Sequence, residues 1–399
     1  MSRGPAVPPA VHAPVRGAVA RRLFASAVDR LGPLEVIGPR GEAIRTWHGA
    51  PRMTITRNSF FDRVATQGNV GFAEAYMARE WHADDLVGVL TAFAAHLSNL
   101  VPTPLRRLRG VWERREPSGD DNSPAGSAHN ISRHYDLSND LFALFLDETM
   151  TYSCAVFEGD DEPLAAAQRR KYELVSALAD VEPGMHVLEI GTGWGGMAMH
   201  LAGQGCRVTT ATLSREQADL AARRVRDAGL TNAVDIQLRD YRQLQGRYDA
   251  IVSIEMFEAV GERYWPVFFA ECDRLLQPGG AVGLQTITMS HSRYLATRRA
   301  YTWVKKYVFP GGAIPSRPAI DAAMARASAL RVTADREIGL HYARTLRGWR
   351  ERFLSRVDEV HALGFGDTFV RMWELYLAYC EAGFATGAIG DDQLRLERR

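Results

Sequence analysis

The residues with the clearest chemical potential form a glycine-rich turn, Val187-Leu-Glu-Ile-Gly-Thr-Gly-Trp-Gly-Gly196. An apolar run leads into Gly191, Gly193 and Gly196, and a helical pattern follows. Glycine is used where the backbone turns sharply and where a ligand must approach without meeting a Cβ atom. One acid, Glu189, precedes the first glycine. The pattern predicts a small-molecule site at the end of a buried strand.

Two ligand classes fit such a turn. A dinucleotide site needs an acidic residue about 20 residues further on, to hold a ribose hydroxyl. Here the next strand ends in Thr209-Thr-Ala-Thr-Leu-Ser214, and the first carboxylate after it is Glu216. Glu189 instead suits a sulfonium-bearing amino acid. The residues therefore favour an S-adenosylmethionine-dependent methyltransferase over a dehydrogenase, and over a glycine turn that binds no ligand.

An alternation of strands and helices surrounds the turn. The strand patterns lie at His186–Ile190, Arg207–Thr212, Val234–Leu238, Tyr248–Ile254 and 281–287, and the helical patterns lie at 196–203, 214–228 and 262–276. Such alternation is typical of a parallel sheet with helices on both faces. We expect an α/β fold of the Rossmann-like, class I methyltransferase type, with a mostly parallel, doubly wound sheet.

Length and composition indicate more than one domain. The 399 residues are 46% hydrophobic with a net charge of +1, which argues against a nucleic-acid binder. The four cysteines are scattered, which argues against a disulfide framework or a zinc knuckle, and we expect no metal. We divide the chain into a disordered tail (1–19), a small α+β domain (20–112), a linker (113–128) and a catalytic domain (129–399).

No targeting or membrane-spanning segment is evident. Four prolines interrupt the first 14 residues, and no run of about 18 apolar residues occurs. We expect a cytoplasmic protein that is peripheral to the inner face of the membrane.

Further segments carry a family resemblance. They are 129–142 (beginning His-Asn-Ile-Ser-Arg-His-Tyr-Asp), 146–155 (Leu-Asp-Glu-Thr-Met-Thr-Tyr-Ser-Cys-Ala), 249–261 (Asp-Ala-Ile-Val-Ser-Ile-Glu-Met-Phe-Glu-Ala-Val-Gly), 307–312, 341–346 and 373–379. Together they resemble the cyclopropane-fatty-acyl-phospholipid synthases. This family also includes the mycolic acid cyclopropane synthases. The sequence looks most similar to the actinobacterial branch that methylates oleoyl phospholipids on the way to 10-methyl-branched, tuberculostearic-type acids. In longer bacterial members, the small N-terminal domain helps to engage lipid.

The resemblance implies roles for particular residues around S-adenosylmethionine. Tyr152 and Ser153 would contact its methionine part, and Gly191 and Gly193 would line its path. The ribose would be held by Thr212, Leu213 and Gln217, which accounts for the missing carboxylate. Asp240 and Tyr241 would flank the adenine, and Ile254 would form the floor of the site.

The resemblance also implies a bicarbonate ion as general base, held in the family by a cysteine, a glutamate, a histidine and a tyrosine. Cys154, Glu258 and Tyr342 match three of these, whereas Gln285 stands in place of the histidine. Glu148 stands where several family members have proline. An amide can still donate to an anion, and we hypothesise that Glu148, in an apolar tunnel, supplies or assists the base.

The implied reaction adds a one-carbon unit to the cis double bond of an unsaturated acyl chain through a carbocation. Aromatic rings would stabilise the cation, and Tyr301, Trp303, Tyr307 and Phe309 are candidates. Proton loss after a hydride shift gives a 10-methylene chain, whereas proton loss with ring closure gives a cyclopropane. The alternatives are thus a cyclopropane synthase and, on the same sheet, a small-molecule methyltransferase.

The expected partner is a membrane phospholipid on an anionic surface. Residues 290–310 combine five basic residues with aromatic ones and contain no acid, and 105–115 is a second basic segment. We also expect a homo-oligomer and a reductase that acts on the product. Nucleic acid is not an expected partner.

Overall fold

The computed structural model describes residues 4–96 and 138–398, which form two compact units. The first unit joins the N-terminal residues to 300–308 and 346–388, and the second holds the remaining residues. The sequence-based division had placed both of those later segments in the catalytic domain. The predicted linker, the basic segment 105–115 and residues 129–137 lie outside the described residues.

The first part of the chain contains short strands and helices. In order, they are α1 (Pro14–Val28), β1 (Glu35–Ile37), β2 (Ala43–Arg45), β3 (Arg52–Ile55), α2 (Ser59–Gln67), α3 (Asn69–Met77), β4 (Trp81–Ala83) and α4 (Leu86–Ala95). The strands form a mixed sheet in the order β2-β1-β3-β4. Helix α1 corrects the predicted tail, since it starts at Pro14, where proline's fixed φ suits the first helical turn.

The described part of the chain after residue 137 is richer in long elements. They are α5 (Asn139–Phe145), α6 (Leu164–Leu178), β5 (His186–Ile190), α7 (Gly196–Gly203), β6 (Arg207–Thr212), α8 (Arg215–Asp227), β7 (Val234–Leu238), β8 (Tyr248–Ile254), α9 (Phe257–Val260), α10 (Trp265–Leu275), β9 (Leu276–Thr288), α11 (His291–Thr297), α12 (Trp303–Tyr307), α13 (Arg317–Ala327), β10 (Leu330–Glu337), α14 (Gly339–Ser355), α15 (Val357–Ala362), α16 (Asp367–Ala385) and β11 (Gly390–Arg398).

The second unit is built on a seven-stranded sheet in the order β10-β11-β9-β8-β5-β6-β7. Strands β7, β6, β5, β8 and β9 run parallel, which confirms the predicted fold class. Strands β11 and β10 add two antiparallel pairings that the sequence analysis did not predict. A reversal of strand order occurs at β5, between β6 and β8, and such a switch point opens a crevice at the carboxyl ends of the strands.

Successive side chains of β5 point to opposite faces of the sheet and join a hydrophobic core on each face. Val187 belongs to a cluster with helices α6, α7 and α8, whereas Leu188 faces a cluster with α10 and α13. Burial on both faces explains why the central strands are continuously apolar. The sheet therefore holds the ends of β5, β6 and β8 in fixed positions.

Candidate active site

The glycine turn follows β5 at the switch point and borders a cavity. Gly191 has a φ of +107° and Gly193 a φ of +50°, a backbone region that glycine adopts at little cost. A Cβ at Gly191 would lie 3.0 Å from the Cβ of Met256, whereas a Cβ at Gly193 would meet no atom within 4 Å. The backbone is thus kept bare where the cavity begins.

Side chains from several strand ends and loops line this cavity. They include Tyr152, Ser153, Lys171, Tyr172, Glu189, Thr192, Trp194, Thr212, Leu213, Gln217, Arg239, Tyr241, Ile254, Glu255 and Met256. With Gly191 and Gly193, this set contains each residue predicted to bind the cofactor except Asp240. The structure brings them together because the carboxyl ends of parallel strands meet at one edge of the sheet.

Glu189 is a buried acid at the floor of the cavity. Its Oε2 accepts a hydrogen bond of 2.5 Å from Thr210 Oγ1 on the neighbouring strand β6. Burial raises the pKa of Glu189 to about 8. A carboxyl group kept away from water in this way is stabilised as an anion when a cationic ligand arrives.

The second strand ends in hydroxyl and amide groups. Thr212 Oγ1 donates to Gln217 Oε1 at 2.9 Å, and Ser214 caps helix α8 by accepting from the Gln217 N–H at 3.2 Å. The cap fixes where the helix begins and so holds Gln217 beside the strand end. The donor end of the Gln217 amide can serve a sugar hydroxyl.

A loop from the segment before β5 covers the other side of the cavity. Ser153 Oγ accepts a hydrogen bond of 2.7 Å from the ammonium of Lys171, which is fully buried. Burial lowers the pKa of Lys171 to about 8. Tyr152 stacks edge-on against Phe142, with the ring centroids 5.1 Å apart.

Asp240, predicted to flank the adenine, is engaged by a neighbouring side chain, and its contact with the cofactor stays a prediction. Its carboxylate accepts hydrogen bonds from the backbone and the guanidinium of Arg242, at 2.9 Å from the N–H and 2.6 Å from Nη2. Both oxygens are engaged by this neighbour two residues along the chain. Asp240 therefore caps the short turn Tyr241–Gln243, while Tyr241 itself borders the cavity.

Three groups predicted to hold an anion converge on the carboxylate of Glu255. The Cys154 N–H donates to Oε1 at 2.8 Å, the Gln285 amide donates to Oε1 at 2.9 Å, and the Tyr342 hydroxyl donates to Oε2 at 2.6 Å. Glu255 directly follows β8 and has a φ of +49°, a left-handed conformation that is costly for any residue except glycine.

Two further carboxyl groups lie buried beside Glu255. Burial, together with the charge of Glu255, raises the pKa of Glu258 to about 8, and its Oε1 accepts from Thr286 Oγ1 at 2.8 Å. Burial and the charges of Glu255 and Glu258 also raise the pKa of Asp391 well above its ordinary value. Asp391 accepts from the Gln285 amide at 3.0 Å. Burial therefore favours the protonated form of both acids.

The thiol of Cys154 is fully buried and donates to the carbonyl oxygen of Ala155 at 3.2 Å. Burial, followed by the charge of Asp391, raises the pKa of this thiol well above its ordinary value. A neutral thiol is a weak nucleophile. Cys154 is therefore present as a buried, apolar side chain beside the carboxyl groups.

The structure contradicts the hypothesis for Glu148. Its side chain is 67% exposed and forms an ion pair with Arg169, so it does not lie in an apolar tunnel. The role of the four predicted aromatic rings in stabilising a carbocation stays a prediction. Trp303 packs against Tyr379 with centroids 5.8 Å apart, and the Tyr307 hydroxyl donates to Glu74 at 2.8 Å, both within the first unit. Among the described residues, Tyr152, Tyr172, Trp194 and Tyr241 contribute aromatic rings to the cavity lining.

Sequence reasoning missed three charged residues, Lys171, Glu255 and Asp391. Lys171 gave a signal, because it occupies a position of α6 between Ala167 and Val175, at the four-residue spacing of a buried helix face. Glu255 also gave one, because it directly follows a buried parallel strand. Asp391 gave none, since β11 was not recognised.

A parallel sheet with a switch point, a bare glycine turn and a buried acid beneath it define an S-adenosylmethionine-dependent methyltransferase of class I. The family model described as mycolic acid cyclopropane synthetase matches residues 122–394. The chain belongs to this family. The sequence-based resemblance is thereby confirmed.

Similar proteins include both a tuberculostearic acid methyltransferase and a cyclopropane synthase. The chain is 46% identical to the tuberculostearic acid methyltransferase UfaA1 of Mycobacterium tuberculosis, over 98% of this chain and 94% of that one. It is 34% identical to the cyclopropane-fatty-acyl-phospholipid synthase of Escherichia coli K12, over 88% of each.

Solved structures of cyclopropane synthases match the fold. The synthase MmaA2 from Mycobacterium tuberculosis superposes with a TM-score of 0.63 at 31% identity, covering 67% of this chain and 97% of that one. The mycolic acid cyclopropane synthase CmaA1, in complex with SAH and CTAB, gives the same score and identity over 71% and 99%.

Within 4–96 and 138–398, no helix has the length and apolar character needed to cross a membrane. Across the same ranges, no group of three or more His, Cys, Asp or Glu side chains is arranged to hold a metal ion.

Proposed function

We propose that this protein transfers a methyl group from S-adenosylmethionine to the cis double bond of an oleoyl chain in a membrane phospholipid, giving a 10-methylene chain. Such a chain is the precursor of a 10-methyl-branched acid. The observation that carries the proposal is the 46% identity, over 98% of the chain, to a relative named as a tuberculostearic acid methyltransferase. A reductase would then act on the product as a partner.

The cavity residues suit the cofactor. Gly191 and Gly193 leave room for it, and Glu189 can take its cationic amino acid end. Thr212 and Gln217 present polar groups for a ribose, and Tyr241 offers a ring surface for an adenine. When bound, the cofactor supplies an electrophilic methyl group.

Methylation of an alkene places further requirements on the cavity. An alkene is a weak nucleophile, so the acyl chain must be held at near-attack distance and away from water. The cation that forms on the chain needs aromatic faces, each of which contributes about 0.5–2 kcal/mol of cation–π attraction. The cavity has such faces in Tyr152, Tyr172 and Trp194. The reaction also needs a base that removes one proton from the methylated chain.

The decisive experiment expresses the chain in a bacterial host that lacks its own synthase, fed with oleate and methyl-deuterated methionine. We expect a fatty acid one carbon heavier than oleate that retains two deuterium atoms and that ozone cleaves to a ketone. Two deuterium atoms remain because one is lost when the proton is removed.

A matched control is Gly193→Asn. Asparagine tolerates a left-handed φ better than most residues, and its side chain would extend into the space that the bare glycine leaves open, so the fold persists while the cofactor is excluded. This variant should give no labelled lipid. A wild-type product that resists ozone would indicate a cyclopropane synthase instead. The absence of labelled lipid, with S-adenosylmethionine still bound, would indicate a small-molecule acceptor.

A further inference from the structure

The bicarbonate that the family resemblance implies does not fit the donors in this structure. Bicarbonate and a carboxylate are both planar anions with two oxygen atoms that accept hydrogen bonds. The Cys154 N–H, the Gln285 amide and the Tyr342 hydroxyl would have to point at the ion, and all three already donate to Glu255. A second anion against this carboxylate would be repelled.

We propose that Glu255 is the general base of the reaction and that its carboxylate takes the place of a bound bicarbonate. The proposal rests on the proposed function, because it concerns the proton that is lost after methyl transfer to an acyl chain. Glu255 lines the same cavity as Tyr152 and Gly191, in which the cofactor and the acceptor must meet.

The supporting residues fix the direction of this carboxylate. Gln393 donates to Gln285 Oε1 at 3.0 Å, which turns the Gln285 amide nitrogen towards Glu255. The same Gln285 amide nitrogen also donates to Asp391 at 3.0 Å, so Gln285 is held between the two carboxyl groups. With donors on both of its oxygens, the Glu255 carboxylate is oriented before the substrate arrives.

The backbone of Glu255 supports a role beyond packing. A non-glycine residue in the left-handed region costs about 1–2 kcal/mol, and such conformations persist where neighbours hold them in place. Here the Glu255 N–H donates to the Gln285 carbonyl oxygen at 2.8 Å, and the side chain is held by three donors. The strain is tolerated at a site where a carboxylate must stand directly at the end of β8.

The step balances in atoms and charge. Methyl transfer would break the S–CH3 bond of the cofactor, leave neutral S-adenosylhomocysteine and place one positive charge on the acyl chain. For the methylene product, a 1,2-hydride shift then moves this charge to the methyl-bearing carbon. A C–H bond of the methyl group breaks, its electron pair forms the C=C bond, and the proton passes to an oxygen of Glu255. For a cyclopropane, the same electron pair would close the ring. No external base is needed in either case.

The first test uses the wild-type protein with vesicles of dioleoylphosphatidylglycerol, in buffer freed of carbon dioxide and bicarbonate. We expect the methylation rate to equal that in bicarbonate buffer. A rate that collapses on depletion and returns with added bicarbonate would overturn the proposal, because the ion and not Glu255 would then be the base.

The second test replaces Glu255. Glu255→Gln should lower kcat by about 100- to 10,000-fold, as expected for loss of a general base. The affinity for S-adenosylhomocysteine, measured by calorimetry, should stay close to the wild-type value. The matched control is Glu173→Gln, an exposed position on α6, which should leave both quantities unchanged. Wild-type turnover by Glu255→Gln would refute the proposal.

Glu255→Gly distinguishes a role of Glu255 as general base from a purely structural role. Glycine fits the left-handed backbone, and the missing side chain leaves the three donors facing open space. Formate or bicarbonate, but not chloride, should raise the Tm of this variant and restore part of its turnover, whereas the wild type should show neither effect. A variant that no anion stabilises or rescues would contradict the proposal. If the wild type itself methylates no lipid, the proposed function fails, but the Tm response still tests what fills the anion site.

Discussion

At the scale of single residues, the site depends on buried ionisable groups whose protonation differs from that in water. Glu189 is the clearest case, because its pKa of about 8 is well above the ordinary value of 4.5. Between these two values the folded protein holds a proton that the unfolded chain has released. The stability of the folded state therefore falls as the pH rises through this interval.

Glu189→Gln tests both the loss of stability on ionisation of Glu189 and its part in cofactor binding. At pH 8.5 and without cofactor, the variant should have a Tm a few degrees above the wild type, because a neutral amide replaces an ionising buried acid. The difference should vanish below about pH 5, where both side chains are neutral. Affinity for S-adenosylmethionine should fall about tenfold or more, since a hydrogen bond to a charged group contributes about 1.5–3 kcal/mol. Thermal melts and calorimetry over this pH range provide the measurement. An unchanged affinity would argue against contact between Glu189 and the cofactor.

At the scale of elements, the site is an assembly of strand ends and the helix starts that follow them. Strands β5 and β6 pair in parallel, with Ile190 opposite Ala211, so the glycine turn and the Thr212–Gln217 segment are neighbours at one edge. The Ser214 cap then sets the first turn of α8. The position of Gln217 is thus a property of the strand–helix junction.

Gln217→Ala should weaken binding of S-adenosylmethionine about tenfold, since a neutral hydrogen bond contributes about 0.5–1.5 kcal/mol and Thr212 also loses its acceptor. The neighbouring Glu216→Ala, at an exposed position of the same helix turn, is the control and should bind as the wild type does. Calorimetric titration compares the two variants. Equal affinities would remove Gln217 from the cofactor site.

At the scale of the whole molecule, the protein must reach a lipid, and the basic segment 290–310 was predicted to help. In the structure, at least two of the five basic side chains in this segment form ion pairs with acidic residues. Arg298 forms an ion pair with Glu262, and Lys306 forms one with Glu74 at 2.5 Å. Arg299, just after α11, is exposed, and Leu295 within α11 is 55% exposed. Docking on an anionic membrane through this segment stays a prediction, as does the expected homo-oligomer.

The docking prediction can be tested with Arg293→Ser combined with Arg299→Ser. Binding to vesicles rich in phosphatidylglycerol should weaken about tenfold or more, at about 1 kcal/mol per basic residue near the surface. Arg226→Ser, at an exposed position on α8, should have no such effect. Sedimentation with vesicles at low and high salt gives the affinities. Binding that does not respond to the double substitution or to salt would exclude this segment.

The sequence by itself determined the sheet and the cofactor end of the site. Strands and helices of the central alternation begin and end within a few residues of their predicted bounds, because apolar runs and glycine turns are local signals. The glycine turn, Glu189 and Gln217 could be placed at one cavity for the same reason. Strand ends meet by the geometry of any parallel sheet.

Only the tertiary structure decided the proton-accepting end. The carboxylate of Glu255 is surrounded by Cys154, Gln285, Tyr342 and Asp391, which come from four separate parts of the chain. Asp391 reaches the site because β11 inserts between β9 and β10, which places it beside Gln285, 106 residues earlier in the chain; no local pattern encodes this pairing. Glu148 shows the reverse error, since sequence alone cannot tell an exposed ion pair from a buried acid. Burial is decided by contacts between distant residues, and the choice of base follows from burial.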